Sequence, residues 1–409
     1  MKKKKKQGMR SAESAHLPHD TITEVLTRLP AKSLFRFRCV CKLWNSTIYD
    51  PQFIEKHRIE SQFRIGGTYL VCFWHYRDEI IVNFKKHGSG TCTVHIPPPL
   101  HLKLKKPIEG DAVLISTPMN GLVCLYSRNG DSWDPLVLNI TTREILYLPK
   151  PTTTKYDSFH IGFDHMTGDY KVLHIWYSAM SSTWKKKWEV CTIGSTDSCP
   201  WRKITDPPKI IRQGRGFSDP CVNGTMYWLS WGGGIYFLVA FDVGREVFRT
   251  LKFAEPITHV HYQLVFVLRG YLAVGVGGNP FEIWLLEEKN NNNSNQVLVK
   301  EKISFLTTPS LPFPPIQNGS NWGILPTGET FLLSPAQHSR TLYVIDLKEK
   351  RITKKRFHWS QPRKGGDDKQ VGNVNDLYSE ECYSHEENMY RFKNQDDVRH
   401  RHGSLLHSV

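Results

Sequence analysis

The chain has 409 residues, of which 39% are hydrophobic and 23% are charged, and its formal net charge is +15. This length predicts two or three domains, and the apolar content excludes a wholly disordered chain. The longest uninterrupted apolar run covers seven residues, 235–241, whereas a helix that crosses a bilayer needs about 18. We therefore expect no membrane-spanning helix.

The first 14 residues are predicted to form a disordered basic tail. Residues 1–10 hold six Lys or Arg and no acid, and polar residues follow where a secretory signal requires an apolar segment. The nine cysteines include no CxxC pair, as expected of free thiols in a reducing compartment. We expect an intracellular protein, in the nucleus, the cytoplasm or both. The lysine run at 2–6 has three interpretations: a nuclear localisation signal, a nucleic-acid-binding patch, or a disordered tail with no further role.

Residues 17–57 show the periodicity of short helices. Apolar residues recur at the i, i+3, i+4 and i+7 spacing of one helical stripe, at Ile22, Val25, Leu26 and Leu29. Pro30 ends this helix, and Ser33 is predicted to cap a second one. A third short helix follows, and Asp50-Pro51 breaks it. The sequence therefore predicts three helices.

Three helices of this size cannot bury all of their apolar groups against one another. Some of that surface must contact either a partner protein or the next domain of the same chain. The pattern favours docking on a partner, but a self-contained cap on the following domain stays open.

The same segment resembles an F-box in the form common in plant proteins, and we assign residues 15–58 to it. The match has no gap. Thr21 stands where the pattern usually has Leu, and Cys41 stands where it usually has Ser. The matching positions are Leu17, Pro18, Asp20, Ile22, Leu26, Leu29, Pro30, Lys32, Ser33, Leu34, Arg36, Phe37, Arg38, Cys39, Val40, Lys42, Trp44, Asp50, Pro51, Phe53 and His57.

The resemblance implies a specific set of partners. An F-box binds the Skp-type adaptor of a cullin–RING ubiquitin ligase, and through it the cullin and RING subunits. An amphipathic helix pair that offers apolar anchors to a helical groove agrees with this role. The residues matching the docking surface and its supporting core are Leu17, Pro18, Ile22, Leu26, Leu29, Pro30, Leu34, Val40 and Trp44.

Between residues 60 and 360 the pattern changes from helical to strand-like. Short segments rich in β-branched and aromatic residues alternate with Gly, Pro, Asn and Asp, and no long helical stripe occurs. Strands are predicted at 68–73, 121–126, 170–176, 225–231, 236–242, 270–276 and 341–347.

A weak internal repeat runs through this region. Three segments share an apolar strand, an Asx residue, a polar turn and a second strand, and their Asx residues are Asn139, Asp242 and Asp346. Less regular copies lie near Asn83, Ile193 and Leu286, which gives a mean spacing of about 53 residues, the size of a four-stranded propeller blade. We predict an all-β propeller of about six blades, while a seven-bladed ring or a bent β-sandwich stays open.

Residues 110–350 also resemble the F-box-associated domain that follows many plant F-boxes, a kelch-like propeller taken to recognise target proteins. The segments that carry the resemblance include Gly162-Phe163-Asp164, 168–172, Trp201-Arg202 and 222–224. The resemblance implies a non-catalytic, substrate-recognition subunit of a ubiquitin ligase. The stretch 361–409 is predicted to be mostly disordered and polar, with one strand closing the ring.

Motifs for catalysis or cofactor binding are missing from the sequence. It contains no phosphate-binding loop, HExxH motif or GxSxG elbow. His259 with His261, and Cys382 with His385, indicate a metal only weakly, and the Cys39-Val-Cys41 segment is predicted to be structural. We expect no cofactor, no metal and no enzymatic activity. The alternatives are a free-standing β-propeller that binds proteins, a basic nucleic-acid-binding protein without a ligase role, and an enzyme with its site at the propeller centre.

The target protein cannot be read from the sequence. Residues 11–360 carry a net charge of +11, with basic clusters at 103–106, 185–187 and 348–356. Because Lys and Arg pair strongly with phosphate, these clusters suggest an acidic or phosphorylated target. A solvated surface without a partner is the alternative.

Overall fold

The computed structural model begins with four helices among the residues that it describes. They are α1 (His19–Thr27), α2 (Ala31–Phe37), α3 (Lys42–Tyr49) and α4 (Pro51–Gln62). The structure describes residues 18–62, 69–76, 79–86, 100–103, 113–129, 132–151, 157–180, 183–193, 200–205, 220–257, 264–276, 281–288, 296–305, 321–324, 330–334, 341–356 and 381–385.

The prediction of three helices was wrong because Asp50-Pro51 both ends one helix and begins the next. Helix α3 ends at Tyr49, as predicted. The Asp50 carboxylate then accepts hydrogen bonds from the backbone N–H groups of Gln52 and Phe53, at 2.8 and 3.1 Å. Pro51 occupies the first helical position, where its missing N–H costs nothing. The pair is therefore a helix start as well as a stop.

Ser33 does not cap the second helix. Helix α2 begins two residues earlier, and the Pro30 carbonyl accepts hydrogen bonds from the N–H groups of Ser33 and Leu34, at 2.9 and 3.2 Å. Pro30 therefore separates α1 from α2 and also positions the start of α2.

The helices enclose a small core of their own. The ring of His57 in α4 is fully buried, and its Nε2 lies 2.8 Å from the Leu29 carbonyl at the end of α1. This contact ties the first helix to the last. The buried apolar residues of the core are Leu26, Ala31, Leu34, Ile48 and Phe53.

The rest of the described chain is built of β-strands, which confirms the order of an all-α segment followed by an all-β region. The strands are β1 (Tyr69–Tyr76), β2 (Glu79–Lys86), β3 (Leu100–Lys103), β4 (Val113–Ile115), β5 (Leu122–Asn129), β6 (Ser132–Trp133), β7 (Leu136–Asn139), β8 (Ile145–Tyr147), β9 (Asp157–Phe163), β10 (Tyr170–Met180), β11 (Thr183–Ile193), β12 (Arg202–Lys203), β13 (Cys221–Val222), β14 (Thr225–Gly232), β15 (Ile235–Asp242), β16 (Val247–Phe253), β17 (Leu264–Leu268), β18 (Tyr271–Val276), β19 (Phe281–Glu288), β20 (Gln296–Phe305), β21 (Asn321–Ile324), β22 (Thr330–Ser334), β23 (Thr341–Asp346), β24 (Arg351–Arg356) and β25 (Glu381–His385).

These strands pair mainly as antiparallel units of four neighbours. Three sheets have the orders β25-β1-β2-β3, β12-β11-β10-β9 and β21-β22-β23-β24, and a fourth has the order β4-β5-β7-β8 with β6 beside β5. The fifth sheet has eight strands. Its halves, β13 to β16 and β17 to β20, are each antiparallel, and a short parallel pairing of Lys252 and Phe253 with Gln296 and Val297 joins them.

The predicted repeat corresponds to the turn after the third strand of a unit. The strands β7, β15 and β23 end at Asn139, Asp242 and Asp346. Each of these side chains accepts hydrogen bonds of 2.8–3.1 Å from backbone N–H groups two or three positions later in the chain. Four residues after each anchor the backbone enters the left-handed region, at Arg143 (φ 64°), Glu246 (φ 58°) and Lys350 (φ 48°).

The weaker copies of the repeat fall on equivalent strands. Asn83 lies in β2, Ile193 ends β11, and Leu286 lies in β19, each the third strand of its unit. The roughly 50-residue period therefore marks the same place in successive units, which explains why it was detectable.

Neighbouring units share their apolar cores. One cluster surrounds Phe159 of β9 and includes residues of β5, β7, β10 and β11, while a second joins Trp188 of β11 to Trp228 of β14. The indole rings of Trp188 and Trp228 meet edge to face at 6.0 Å. Because each unit buries a face against the next, the units stabilise one another.

The strand β25 comes from the far end of the chain. It pairs with β1 at one edge of the first sheet, with Tyr69 opposite His385 and Phe73 opposite Glu381. A strand was predicted within 361–409, and 381–385 supplies it. The other residues of that stretch lie outside the described residues, as does the predicted basic tail at 1–14.

Candidate functional site

The predicted docking residues fall into buried and exposed groups. Leu26 and Leu34 are 1% and 0% exposed and belong to the helical core. Ile22, Leu29 and Trp44 are partly buried and pack against that core. These five residues support the docking helices from inside.

The remaining predicted docking residues lie at the surface or outside the described residues. Pro18 and Pro30 are exposed, and Val40 is 60% exposed. Leu17 lies outside the described residues. Of the nine predicted residues, these exposed ones are available to a partner.

Two further apolar side chains are exposed that the prediction of docking residues omitted. Val25 in α1 is 55% exposed, and Leu43 in α3 is 48% exposed. Val25 lies in the same apolar stripe as Leu26, so the periodicity could have identified it. We call Val25, Val40 and Leu43 the exposed apolar set.

The segment that carries Val40 is held in place by Arg38. The Arg38 guanidinium lies over the Tyr49 ring, 4.1 Å from its centroid, and 5.6 Å from that of Phe35. Cation–π contacts of this kind restrain an otherwise exposed link between α2 and α3. The two cysteines that flank Val40 are exposed, and Cys41 Sγ accepts the Trp44 backbone N–H at 3.4 Å as the cap of α3.

Helix α4 carries an ion pair between Arg58 and Glu55, with Nη2 and Oε1 2.8 Å apart. The pKa of the Glu55 carboxyl in α4 is lowered, chiefly by its hydrogen bond from Arg58, with a smaller contribution from the charge of His165 in the β9–β10 turn. Arg58 and Ser61 in the same helix are buried, at 9% and 4% exposure.

The β region contains a buried charge cluster between two units. Lys171 of β10 is 7% exposed, and its Nζ donates to the Val243 carbonyl at 2.8 Å. The same Nζ lies 3.0 Å from Glu246 Oε1 and 3.6 Å from Asp164 Oδ2. Arg202 donates to both oxygens of Glu246, at 2.7 and 2.8 Å. This cluster links the unit of β9–β12 to the β15–β16 turn.

The charges of this cluster favour the ionised carboxylates. Burial raises the pKa of Glu246, but hydrogen bonds from Arg202 and Lys171 outweigh it, so the pKa lies below its ordinary value. For Asp164, burial is likewise outweighed by hydrogen bonds from the Met166 backbone and the Thr167 side chain, and its pKa is also lowered. The two carboxylates and Lys171 thus form a satisfied network inside the fold.

Two family models match this chain. The F-box domain matches residues 15–56, and the F-box associated beta propeller domain matches residues 69–390, which is most of the chain. The chain belongs to the F-box proteins with an F-box-associated beta propeller domain.

Relatives of this F-box protein occur in Arabidopsis thaliana. The F-box protein DOR is 29% identical over 287 residues, which cover 66% of this chain and 70% of DOR. The F-box protein At4g19940 is 26% identical over 407 residues, which cover 88% of each chain. The similarity therefore extends through both the F-box and the propeller domain.

The propeller motifs that carry the family resemblance have structural positions. Asp164, Lys171 and Arg202 all belong to the charge cluster. The Asn223-Gly224 pair forms a tight turn with φ values of 48° and 74°. A Cβ on Gly162 would overlap Met226 Cε and lie 2.8 Å from Val243 Cγ2, so a larger residue there requires those buried side chains to shift. These motifs hold neighbouring units together and leave the position of a target site open.

A second polar link joins the two halves of the eight-stranded sheet. The Tyr227 hydroxyl donates to Glu288 Oε1 at 2.6 Å, and Arg249 Nη1 lies 2.9 Å from Glu288 Oε2. Burial is the main cause of a raised pKa for Tyr227, and the neighbouring Glu288 carboxylate raises it further. The phenol therefore stays protonated and keeps its donor role.

The predicted basic clusters are only partly described. Lys187 lies 2.9 Å from Glu189 Oε1, and that carboxylate also lies 3.3 Å from His174 Nδ1 inside the fold. Lys348 and Lys350 are exposed. The cluster at 103–106 and the other residues of 185–187 and 348–356 have no described side chains.

The described residues contain no group of three or more His, Cys, Asp or Glu arranged to hold a metal ion. The predicted pair His259 and His261 lies outside those residues, while Cys382 and His385 lie in β25. Within the described part of the chain, no helix combines the length and apolar character needed to cross a membrane.

Proposed function

We propose that this protein is the substrate-recognition subunit of a cullin–RING ubiquitin ligase. The F-box docks a Skp-type adaptor, and through it the cullin and RING subunits, while the propeller domain binds the protein to be ubiquitinated. The observation that carries the proposal is the combination of an F-box and an F-box-associated propeller in one chain. In this role the chain supplies proximity, and the chemistry takes place on the partner subunits.

The exposed apolar set supports the docking half of the proposal. These side chains are 48–60% exposed. A partner that covers them removes their apolar surface from water, which is favourable. Leu26 and Leu34 keep the helices in shape beneath this surface. In our proposal Val25, Val40 and Leu43, together with Pro18 and Pro30, contact the adaptor.

The sheet topology supports the target-binding half. We propose that each four-stranded antiparallel unit is one blade, that six blades form the ring, and that β25 closes it. A ring of blades offers a rigid surface on which connecting segments recognise a protein. The exposed Lys348 and Lys350 and the basic strand β24 favour an acidic or phosphorylated target. We expect the protein to act in the nucleus, the cytoplasm or both.

Co-purification tests the docking half. The full chain is co-expressed with a plant Skp-type adaptor and cullin, beside a variant with Val25→Ser, Val40→Ser and Leu43→Ser. We expect adaptor recovery to fall about tenfold or more, because three apolar contacts are lost at once. Val247→Ser serves as a matched control, because Val247 is 47% exposed on β16.

The two outcomes of this experiment are distinct. Loss of adaptor in the triple variant, with recovery retained in the control, supports docking through the exposed apolar set. Full recovery by the triple variant means that the adaptor binds elsewhere, and failure of the wild type to capture any adaptor overturns the ligase role.

Charge reversal tests the target-binding surface. Replacing Lys348, Lys350, Arg351, Lys354 and Lys355 with Glu is expected to reduce capture of the target while adaptor recovery stays unchanged. Intact target capture by this variant would show that the basic strand is only a solvated surface.

A further inference from the structure

Two cysteines from opposite ends of the propeller domain occupy opposite register positions of two paired strands. Cys72 lies in β1 and Cys382 in β25, and the antiparallel register places them directly opposite. The flanking pairs, Val71 with Tyr383 and Phe73 with Glu381, show that the register is regular on both sides. The two cysteines are distant in the sequence, with 309 residues between them.

This register meets the distance requirement of a disulfide. Directly opposite residues of antiparallel strands share one face of the sheet, with Cα atoms about 4.5 or 5.5 Å apart, depending on the hydrogen-bonding position. Disulfides usually join residues with Cα atoms about 4.4–6.8 Å apart. Both kinds of cross-strand position lie in that range, so the backbone need not move for the bond to form.

We propose that Cys72 and Cys382 are a redox modification site, at which a peroxide oxidant forms a reversible disulfide that fastens β25 to β1. One thiolate attacks a peroxide oxygen and breaks the O–O bond, which gives a sulfenic acid and one water. The second thiol then attacks the oxidised sulfur and releases a second water. Two thiols and one hydrogen peroxide thus become one disulfide and two waters, and a thiol reductant restores the two thiols.

The bond has a clear physical consequence. It closes a covalent loop through nearly the whole propeller domain, and a long closed loop restricts the unfolded chain strongly. Intracellular disulfides are mostly transient and redox-responsive. The reduced pair is therefore the resting form, and oxidation makes the ring slower to open. The inference is independent of the ligase role.

Other thiols in the described chain are less suited to this chemistry. Burial raises the pKa of Cys221 to about 11, and it raises the pKa of Cys124 further. The thiolate is the nucleophile, so both side chains react slowly with peroxide. Cys39 and Cys41 are exposed, but they belong to the F-box.

Peptide mapping tests the bond directly. The purified full chain is exposed to hydrogen peroxide or to dithiothreitol, alkylated with N-ethylmaleimide and digested with trypsin without reduction. Cys72 falls in the peptide 65–77 and Cys382 in the peptide 370–391, each with a single cysteine. We expect the two peptides to be linked after peroxide and separate after dithiothreitol. If the two peptides stay separate in oxidised, folded protein, the proposal is overturned.

Thermal unfolding tests the consequence. Peroxide-treated wild type is expected to unfold at least about 5 °C above the reduced protein, and Cys382→Ser is expected to lose this difference. Cys39→Ser serves as a matched control and keeps it. An equal shift in Cys382→Ser means that another modification is responsible and overturns the role of the pair. Peptide mapping of the wild type decides the matter if Cys382→Ser fails to fold.

Discussion

The two regions of this protein treat apolar and charged side chains in opposite ways. The helical region leaves Val25, Val40 and Leu43 at its surface and encloses only a small core. The propeller region buries large aromatic residues and also encloses charges, such as Lys171. Exposed apolar groups suit a surface that binds a partner, whereas enclosed charges fix one arrangement of the sheets. The helical region therefore offers apolar surface to its surroundings, whereas the propeller region uses polar and apolar groups to fix its own sheets.

The largest effect is expected from removing β25. A chain that stops after Lys369 lacks the strand that pairs with β1. We expect the propeller region to lose cooperative unfolding, because the edge of β1 loses the backbone groups with which it pairs, while adaptor capture by the helices persists. Near-ultraviolet circular dichroism and adaptor co-purification measure the two effects. A chain that stops after Arg391 keeps β25 and is the control; equal unfolding midpoints of the two chains would contradict the assigned role.

A smaller effect is expected from the charge cluster. Lys171→Met leaves Asp164 and Glu246 without their shared cation, so we expect the free energy of unfolding to fall by about 2–4 kcal/mol. Chemical denaturation measures it. Lys252→Met, at an exposed position of β16, is expected to change stability by less than about 0.5 kcal/mol. Similar losses in both variants would mean that the cluster has no special role.

Acid is expected to weaken the propeller region through the same cluster. The pKa values of Glu246 and Asp164 are lowered in the folded protein. Their stabilisation is therefore fully present above the ordinary carboxyl pKa, about 4.3 for Glu, and is lost as the pH falls through the lower folded values. Urea unfolding between pH 3 and pH 7 measures this loss.

Glu246→Gln separates the contribution of one carboxylate to this pH dependence. The amide cannot take up a proton in this range, so the variant is less stable at neutral pH and loses less stability on acidification. An unchanged slope of stability against pH in Glu246→Gln would assign the acid sensitivity to other groups. Glu255→Gln, at an exposed position, is the matched control.

The smallest effect is expected at the cap of α3. Cys41 accepts the Trp44 N–H through sulfur, which is a weak acceptor. Cys41→Ser supplies a hydroxyl oxygen, and we expect a gain of about 0.5 kcal/mol in the stability of the helical region. Cys39→Ser, at an exposed position without this capping role, is the control. A loss of stability in Cys41→Ser would show that the sulfur fits this site better than a hydroxyl.

The sequence predicted the order of the regions and the repeated turn, because both rest on local chemistry. Apolar periodicity located the first helix, and Asx residues that bond their own backbone marked Asn139, Asp242 and Asp346. The fourth helix was missed because Asp50-Pro51 was interpreted only as a break. Its capping geometry shows that the same two residues favour a new helix.

The exposed side chains of the helices were harder to predict than the fold. Periodicity identifies an apolar stripe but cannot say which members meet the internal core and which meet a partner. Leu26 and Val25 are adjacent in sequence, yet one is 1% and the other 55% exposed. The partner of β25 was beyond sequence reasoning too, because its pairing with β1 joins residues that lie about 310 positions apart in the chain.

The pairing of β1 with β25 also dictates when the protein can be completed during synthesis. The helical region leaves the ribosome first and contains its own core, and domains generally fold in the order in which they emerge. The first sheet, in contrast, waits for residues 381–385 of a 409-residue chain. A nascent chain can therefore finish its helical core well before the first sheet acquires its edge strand.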